Sequence, residues 1–375
     1  MNNFIKKILI IALLVSPILI GTVMFNVNSD KNSESSEKVY IALEEEGRVA
    51  VVDTDSRKLV RTINLSDEQN GKFVSYEAHN VQVSPDGSKV LVTANVNRGG
   101  MGGNNENNED VSDGLQDKLI IIDPITDTIV DSVQLGIDLH LAHVVADKAG
   151  DTAYVNAQET GEVFVVDINK KTLISKFDLG EGTGPHGLRL APDDTKLFIA
   201  LVDGQAIASV DLTTKVISKY PLNGKAVQTA VTASGEYVFA SVYDTKKVAW
   251  VNVQNGGQGY IDLPEDAQGP IQLYATPDSK YLYVVNQGHY FGQPVARSVH
   301  RIDIEKKMVD NTIVVGDAPH GIVVDKSGDF AYVTNLLSDD LSIVDTSTNK
   351  EVARLKVGKM PNGISIWNKT LGGTP

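Results

Sequence analysis

Residues 318–357 read APHGIVVDKSGDFAYVTNLLSDDLSIVDTSTNKEVARLKV. Four short runs in it, 321–324, 330–335, 341–345 and 351–357, are rich in β-branched and aromatic residues. Asp325-Lys326-Ser327-Gly328 and Thr346-Ser347-Thr348-Asn349 fill two of the gaps. The runs favour strands and the gaps favour turns. Four strands joined this way make one small antiparallel sheet, and its two faces need neighbours of the same kind to cover them.

The neighbours are present. A V-D mark at the end of the third run recurs at Val52-Asp53, Ile122-Asp123, Val166-Asp167, Val210-Asp211, Val251-Asn252, Ile302-Asp303 and Val344-Asp345. The steps between marks are 70, 44, 44, 41, 51 and 42 residues, and the two long steps each hold an insert, 97–117 and 287–298. A repeat of about 40–45 residues with four strands is the mark of a β-propeller blade. Seven marks predict an all-β, seven-bladed propeller.

Tyr332-Val333-Thr334-Asn335, with the flanking P-H-G, D-K-S-G and I-V-D-T segments, resembles the YVTN family of β-propeller repeats. The likeness spans about residues 38–368. The wider superfamily includes the propellers of quinoprotein amine dehydrogenases, nitrous oxide reductase and lactonase-like proteins. The resemblance is specific for fold and weak for function, because propellers host unrelated activities.

The first blade lacks its innermost strand. Pro361-Asn362-Gly363-Ile364-Ser365-Ile366-Trp367 matches Pro319-His320-Gly321-Ile322-Val323-Val324, so the C-terminal strand is expected to close the ring inside the first blade. Closure removes an exposed sheet edge. The expected organisation is an N-terminal hydrophobic helix at 1–25, a polar linker at 26–38, the propeller at 39–368 and a tail at 369–375. Lys6-Lys7 precede an apolar run over 8–25, which reads as an uncleaved signal anchor or a cleaved signal peptide. Either places the propeller outside the cytoplasm, and the anchor would hold it to the membrane.

The chain carries 34 Lys and Arg against 48 Asp and Glu, a formal net charge of −14. That balance argues against nucleic acid, whose phosphates need basic partners. With no Cys there is no disulfide, thiol nucleophile, thiolate metal ligand or haem attachment motif. No G-x-S-x-G elbow marks a serine hydrolase.

Alternation of strand direction puts both inserts on the face that carries the P-H-G segments, and function commonly sits on such loops. Aligning the inner strands on their turns gives one column of His79, Ala142, His186, Val227, Ile271, His320 and Asn362. The next column is Asn80, His143, Gly187, Gln228, Gln272, Gly321 and Gly363. Four of the seven histidines thus gather at the channel mouth. Imidazoles converging there predict a site for copper, zinc or iron, as in nitrous oxide reductase of the same superfamily. His143 is offset by one position, and adjacent strand residues point to opposite sides. The competing reading is that the P-H-G histidines bond a neighbouring blade or line a wet channel. Asn80, Gln228, Gln272 and Asn362 are candidate ligand contacts at the mouth. His289, Tyr290 and Phe291 in the second insert are candidates for a cover over it.

The seven V-D carboxylates and amides are read as Asx-turn caps rather than calcium ligands, since the repeat holds them far apart. The acidic residues of 97–117 lack calcium-loop spacing. Three functions stay in play: a monomeric binding or scaffolding module for a protein or small ligand at the insert-bearing face, a copper- or zinc-binding or redox accessory protein, and a lactonase-like hydrolase.

Overall fold

The protein is described here by a computed structural model covering residues 36–98 and 114–373. The signal segment expected at 1–25, nearly all of the linker and most of the acidic insert lie outside the described residues. Among the described residues no helix is long and apolar enough to cross a membrane.

Seven sheets form the seven blades, each of four antiparallel strands in simple up-and-down order. The inner strands are Tyr76–Val83, Leu141–Ala146, Pro185–Leu190, Ala226–Val231, Pro270–Ala275 and Pro319–Val324 for blades 2 to 7. Blade 1 takes Pro361–Asn368 from the far end of the chain, paired antiparallel to Glu37–Leu43, with Val39 opposite Ile366 and Lys38 opposite Trp367. The expected closure is therefore present. It is extended by one feature, the short strand Gly372–Gly373, which pairs on the open side of Pro361–Asn368. A two-stranded hairpin, Asp67–Gln69 with Lys72–Val74, sits between blades 1 and 2 and was not evident in the sequence.

Burial follows the repeat. The three inner strands of each blade are almost wholly buried and pack Val, Ile, Leu and Ala against adjacent blades, whereas outer strands such as Lys58–Asn64 are mostly exposed. The V-D marks cap the turn that follows, as expected. Asp53, Asp123, Asp167, Asp211, Asn252, Asp303 and Asp345 each accept a hydrogen bond from a backbone N–H two or three residues on.

The Y-V-T-N and P-H-G segments explain each other. Thr334 accepts a hydrogen bond from the Gly321 N–H at 2.7 Å and donates to the Asn362 carbonyl of the next blade at 2.8 Å. Thr93 and Ser241 repeat this between the Asn80 N–H and the Ala142 carbonyl, and between the Gln228 N–H and the Ile271 carbonyl. A Cβ on Gly187 would come within 2.4 Å of the Gln228 Cα, and one on Gly363 within 2.7 Å of the Asn80 Cα. Glycine after the His or Asn thus lets the next blade's inner strand pass close by.

His300, on the third strand of blade 6, is buried. Its Nδ1 lies 3.0 Å from Thr312 Oγ1, and its Nε2 has no partner among the described residues. Burial draws its pKa down to about 4. The unfolded chain protonates this imidazole as pH falls below about 6.5 while the folded protein does not. Stability is therefore lost between pH 6.5 and 4, by on the order of 3 kcal/mol from this group. Melting curves across that range should show the wild-type protein weakening on acidification and His300→Leu weakening less. Parallel curves for the two proteins would contradict this.

Candidate metal centre

Each inner strand enters from the insert-bearing face, and at that end its pairing with the second strand slips. The register shifts between Ala78 and Asn80, Leu141 and Val144, Pro185 and Leu188, Ala226 and Thr229, Pro270 and Leu273, and Pro319 and Ile322. Strict alternation of side chains does not hold across such a bulge. His143 falls inside one of these slips, so its one-residue offset does not turn it away from the channel.

The result is a cluster. His79, His143 and His186, from three successive blades, offer ring nitrogens that all lie within 4.8 Å of one another. Their rings stand edge to face, with centroids 6.0 Å apart for His79 and His143, 5.5 Å for His79 and His186, and 5.1 Å for His143 and His186. Burial, reinforced by the neighbouring imidazoles, draws His143 and His186 well below the usual histidine range, so both are neutral at pH 7.

The far nitrogen of two of the rings is held. His79 Nδ1 lies 2.9 Å from Glu44 Oε1, and the buried Nε2 has no partner among the described residues. His186 Nδ1 donates to the Val227 carbonyl at 3.0 Å. The Gln228 amide lies 3.3–3.4 Å from the ring nitrogens of His143. Metal-binding histidines characteristically give their second N–H to a carboxylate or carbonyl, which fixes the tautomer and aims the other nitrogen. His79 and His186 both show this pattern.

Glu44 follows the second strand of blade 1, and its other oxygen accepts from the Asn362 amide at 2.6 Å. Burial alone would raise its pKa. The His79 imidazole and the Asn362 amide outweigh that and hold it below the usual carboxylate range. His140, half exposed, stands edge-on to His79 with centroids 5.5 Å apart.

A tetrahedral ion with Zn–N bonds of about 2.0–2.1 Å spaces its ligands by about 3.3 Å. The ring nitrogens of the three imidazoles, within 4.8 Å of one another, lie no more than about 1.5 Å beyond that spacing. The donor set suits zinc or copper and leaves a fourth position for water or a ligand.

One expected ligand is not part of the cluster. His320 does not join the group of three. Its Nδ1 is 2.7 Å from the Gln287 amide, and Tyr290 stands edge-on to it with centroids 6.1 Å apart. Of the four histidines expected at the mouth, three converge within 4.8 Å, and His320 stands outside that group with its buried Nε2 unpartnered among the described residues. Of the remaining candidates, Gln228 and Asn362 touch the cluster directly or through Glu44. Asn80 accepts from the Val144 N–H at 3.4 Å and serves the blade 2–blade 3 junction. Gln272 is buried at the mouth, with an amide nitrogen unpartnered among the described residues. Tyr290 lies in a short 3-10 turn, Tyr290–Gly292, and its carbonyl accepts from the Tyr243 hydroxyl at 2.8 Å. His289 precedes that turn, exposed, and Phe291 lies within it. Glu44 and His140 were not singled out from the sequence, because loops of other blades bring them in.

Searched against known proteins, the chain matches no family model. It is 24% identical over 139 residues to a 6-phosphogluconolactonase of Formosa agariphila, a match covering 36% of this chain and 38% of that protein. Among solved structures, the periplasmic gluconolactonase PpgL of Pseudomonas aeruginosa superposes with a TM-score of 0.67 at 16% identity, over 88% of this chain and 98% of that one. A Kuenenia stuttgartiensis hydrazine synthase chain does so with a TM-score of 0.63 at 17% identity, over 79% and 94%. In fold, this is a seven-bladed β-propeller like those of the two solved structures. The YVTN resemblance holds at that level, and at such low identity the likeness speaks to the propeller scaffold alone.

Proposed function

We propose that this lactonase-like propeller binds one transition-metal ion, of the zinc or copper class, on His79, His143 and His186. The observation that carries the reading is the convergence of three imidazoles from three blades, two buried and one half-buried, two of them with the far nitrogen engaged by Glu44 or a backbone carbonyl. An ion held by three imidazoles with one open position can also activate water. We place the site outside the cytoplasm, on the strength of Lys6-Lys7 and the apolar run that follows.

Elemental analysis of protein purified without a histidine tag tests the reading. About one equivalent of zinc or copper per chain, retained through dialysis, is expected. Less than a tenth of an equivalent after incubation with either metal would overturn it.

Lactone hydrolysis is the second reading, favoured by the gluconolactonase names of the relative and the structural neighbour. It is tested by following acid release from glucono-lactone with and without metal. Turnover that depends on metal and falls with His186→Ala would join the two readings. Turnover by metal-free protein would replace the first with the second.

A further inference from the structure

The other end of the channel differs in chemistry. There the inner strands of blades 2 to 6 end around a cavity of about 420 Å³. Its walls are largely apolar and include Val145, Leu190, Pro192, Val231, Tyr274 and Pro277. The volume is within the range of small-molecule pockets.

Three cationic side chains line this cavity: Arg189, Lys148 and Lys326. The one acid among the lining residues, Asp194, accepts a hydrogen bond from the Lys148 backbone N–H at 2.9 Å. Such a lining is cationic in a chain whose net charge is −14.

Arg189 is the central feature. It stands on the same strand as His186, three residues further on, and is half-buried. A guanidinium has five N–H donors and stays charged. This one donates from Nη1 to the Leu188 carbonyl at 2.8 Å and has no carboxylate in ion-pair range among the described residues. Desolvation pulls its pKa down. Lys326 spends one donor on the Leu371 carbonyl. A partly desolvated cation without a counter-ion costs stability. A carboxylate bound across the guanidinium fork would offset that cost with two charge-assisted hydrogen bonds.

We infer that this cavity is a binding site for a small organic carboxylate with an apolar body. The carboxylate lies on Arg189, within reach of the lysines, and the body lies against Tyr274 and the proline and valine walls. The site needs no metal at the histidine cluster, which Arg189 adjoins closely enough that its charge helps hold His143 below the usual histidine range.

Calorimetric titration with 2-naphthoate and its neutral near-isostere 2-naphthamide tests this on the wild-type protein. Naphthoate should bind with one-to-one stoichiometry, at least tenfold tighter than the amide. Arg189→Met should remove that preference, and His186→Ala should leave it intact. Arg189→Met should melt no lower than wild type, since an unpaired cation leaves an apolar environment. Equal affinity of the two probes for the wild-type protein, no binding of naphthoate at millimolar concentration, or a preference unchanged in Arg189→Met would overturn the proposal.

Discussion

A chain ending at Gly358 loses its cooperative thermal unfolding transition. The residues removed include Pro361–Asn368, the strand that completes blade 1 and joins the two ends of the propeller. Ile364, Ile366 and Trp367 on it are buried. Each contributes about 1.5–3 kcal/mol through burial alone. Bonds to blade 2 are lost as well: the Val83 N–H to Ser365 Oγ at 3.0 Å, and Trp367 Nε1 to the Gly87 carbonyl at 2.9 Å. Together these losses are comparable to the whole stability of a typical domain, about 5–15 kcal/mol. Glu37–Leu43 would also be left as an open edge. Trp367→Ala gives a graded version within the full-length chain. It should cost about 3–5 kcal/mol and lower Tm by roughly 4–7 °C for a domain of this size. A truncated chain that melts like the full one would show that the ring does not depend on this strand.

Alanine at His79, His143 or His186 abolishes tight metal binding, and alanine at His320 does not. Each of the three substitutions removes a donor from a three-donor set. The loss in affinity should be about 100-fold or more, since disturbing only the outer partner of a ligand costs about 10–100-fold. Glu44→Gln supplies that outer case. It keeps the shape but weakens the hold on His79 Nδ1, so about 10–100-fold is expected. His320→Ala should change affinity less than about threefold, because His320 is not among the three converging imidazoles. Competition titration against a chromophoric zinc chelator measures all five variants. A His320→Ala loss matching that of His186→Ala would restore the four-ligand site and contradict the three-ligand one.

The repeat, the closure and the polar column at the mouth are legible in the sequence because each rests on local spacing. V-D ends a strand and caps a turn in every blade. The match of residues 361–367 to 319–324 requires only that like segments do like work. Three of the four proposed ligands converge for a reason the spacing did not supply. Alternation along a strand argued against His143, and the bulge at each inner strand's entry relaxes that alternation. The contacts His320 makes instead, with Gln287 and Tyr290, belong to an insert outside the repeat. Glu44 was hidden in the acidic run Glu44-Glu45-Glu46, where only the fold distinguishes the buried carboxylate from its neighbours. Arg189 was hidden in the same way, inside a strand that reads P-H-G-L-R-L. Its position at the opposite mouth emerges only when the ring is assembled.

The most direct test of the metal-binding account is an anomalous difference map from crystals of the full chain loaded with one equivalent of zinc, recorded at the zinc edge. The account predicts a single peak about 2.0–2.1 Å from Nε2 of His79, Nε2 of His186 and a ring nitrogen of His143. A peak at another place, such as beside His289 or His320, or no peak in the propeller at all, would contradict it.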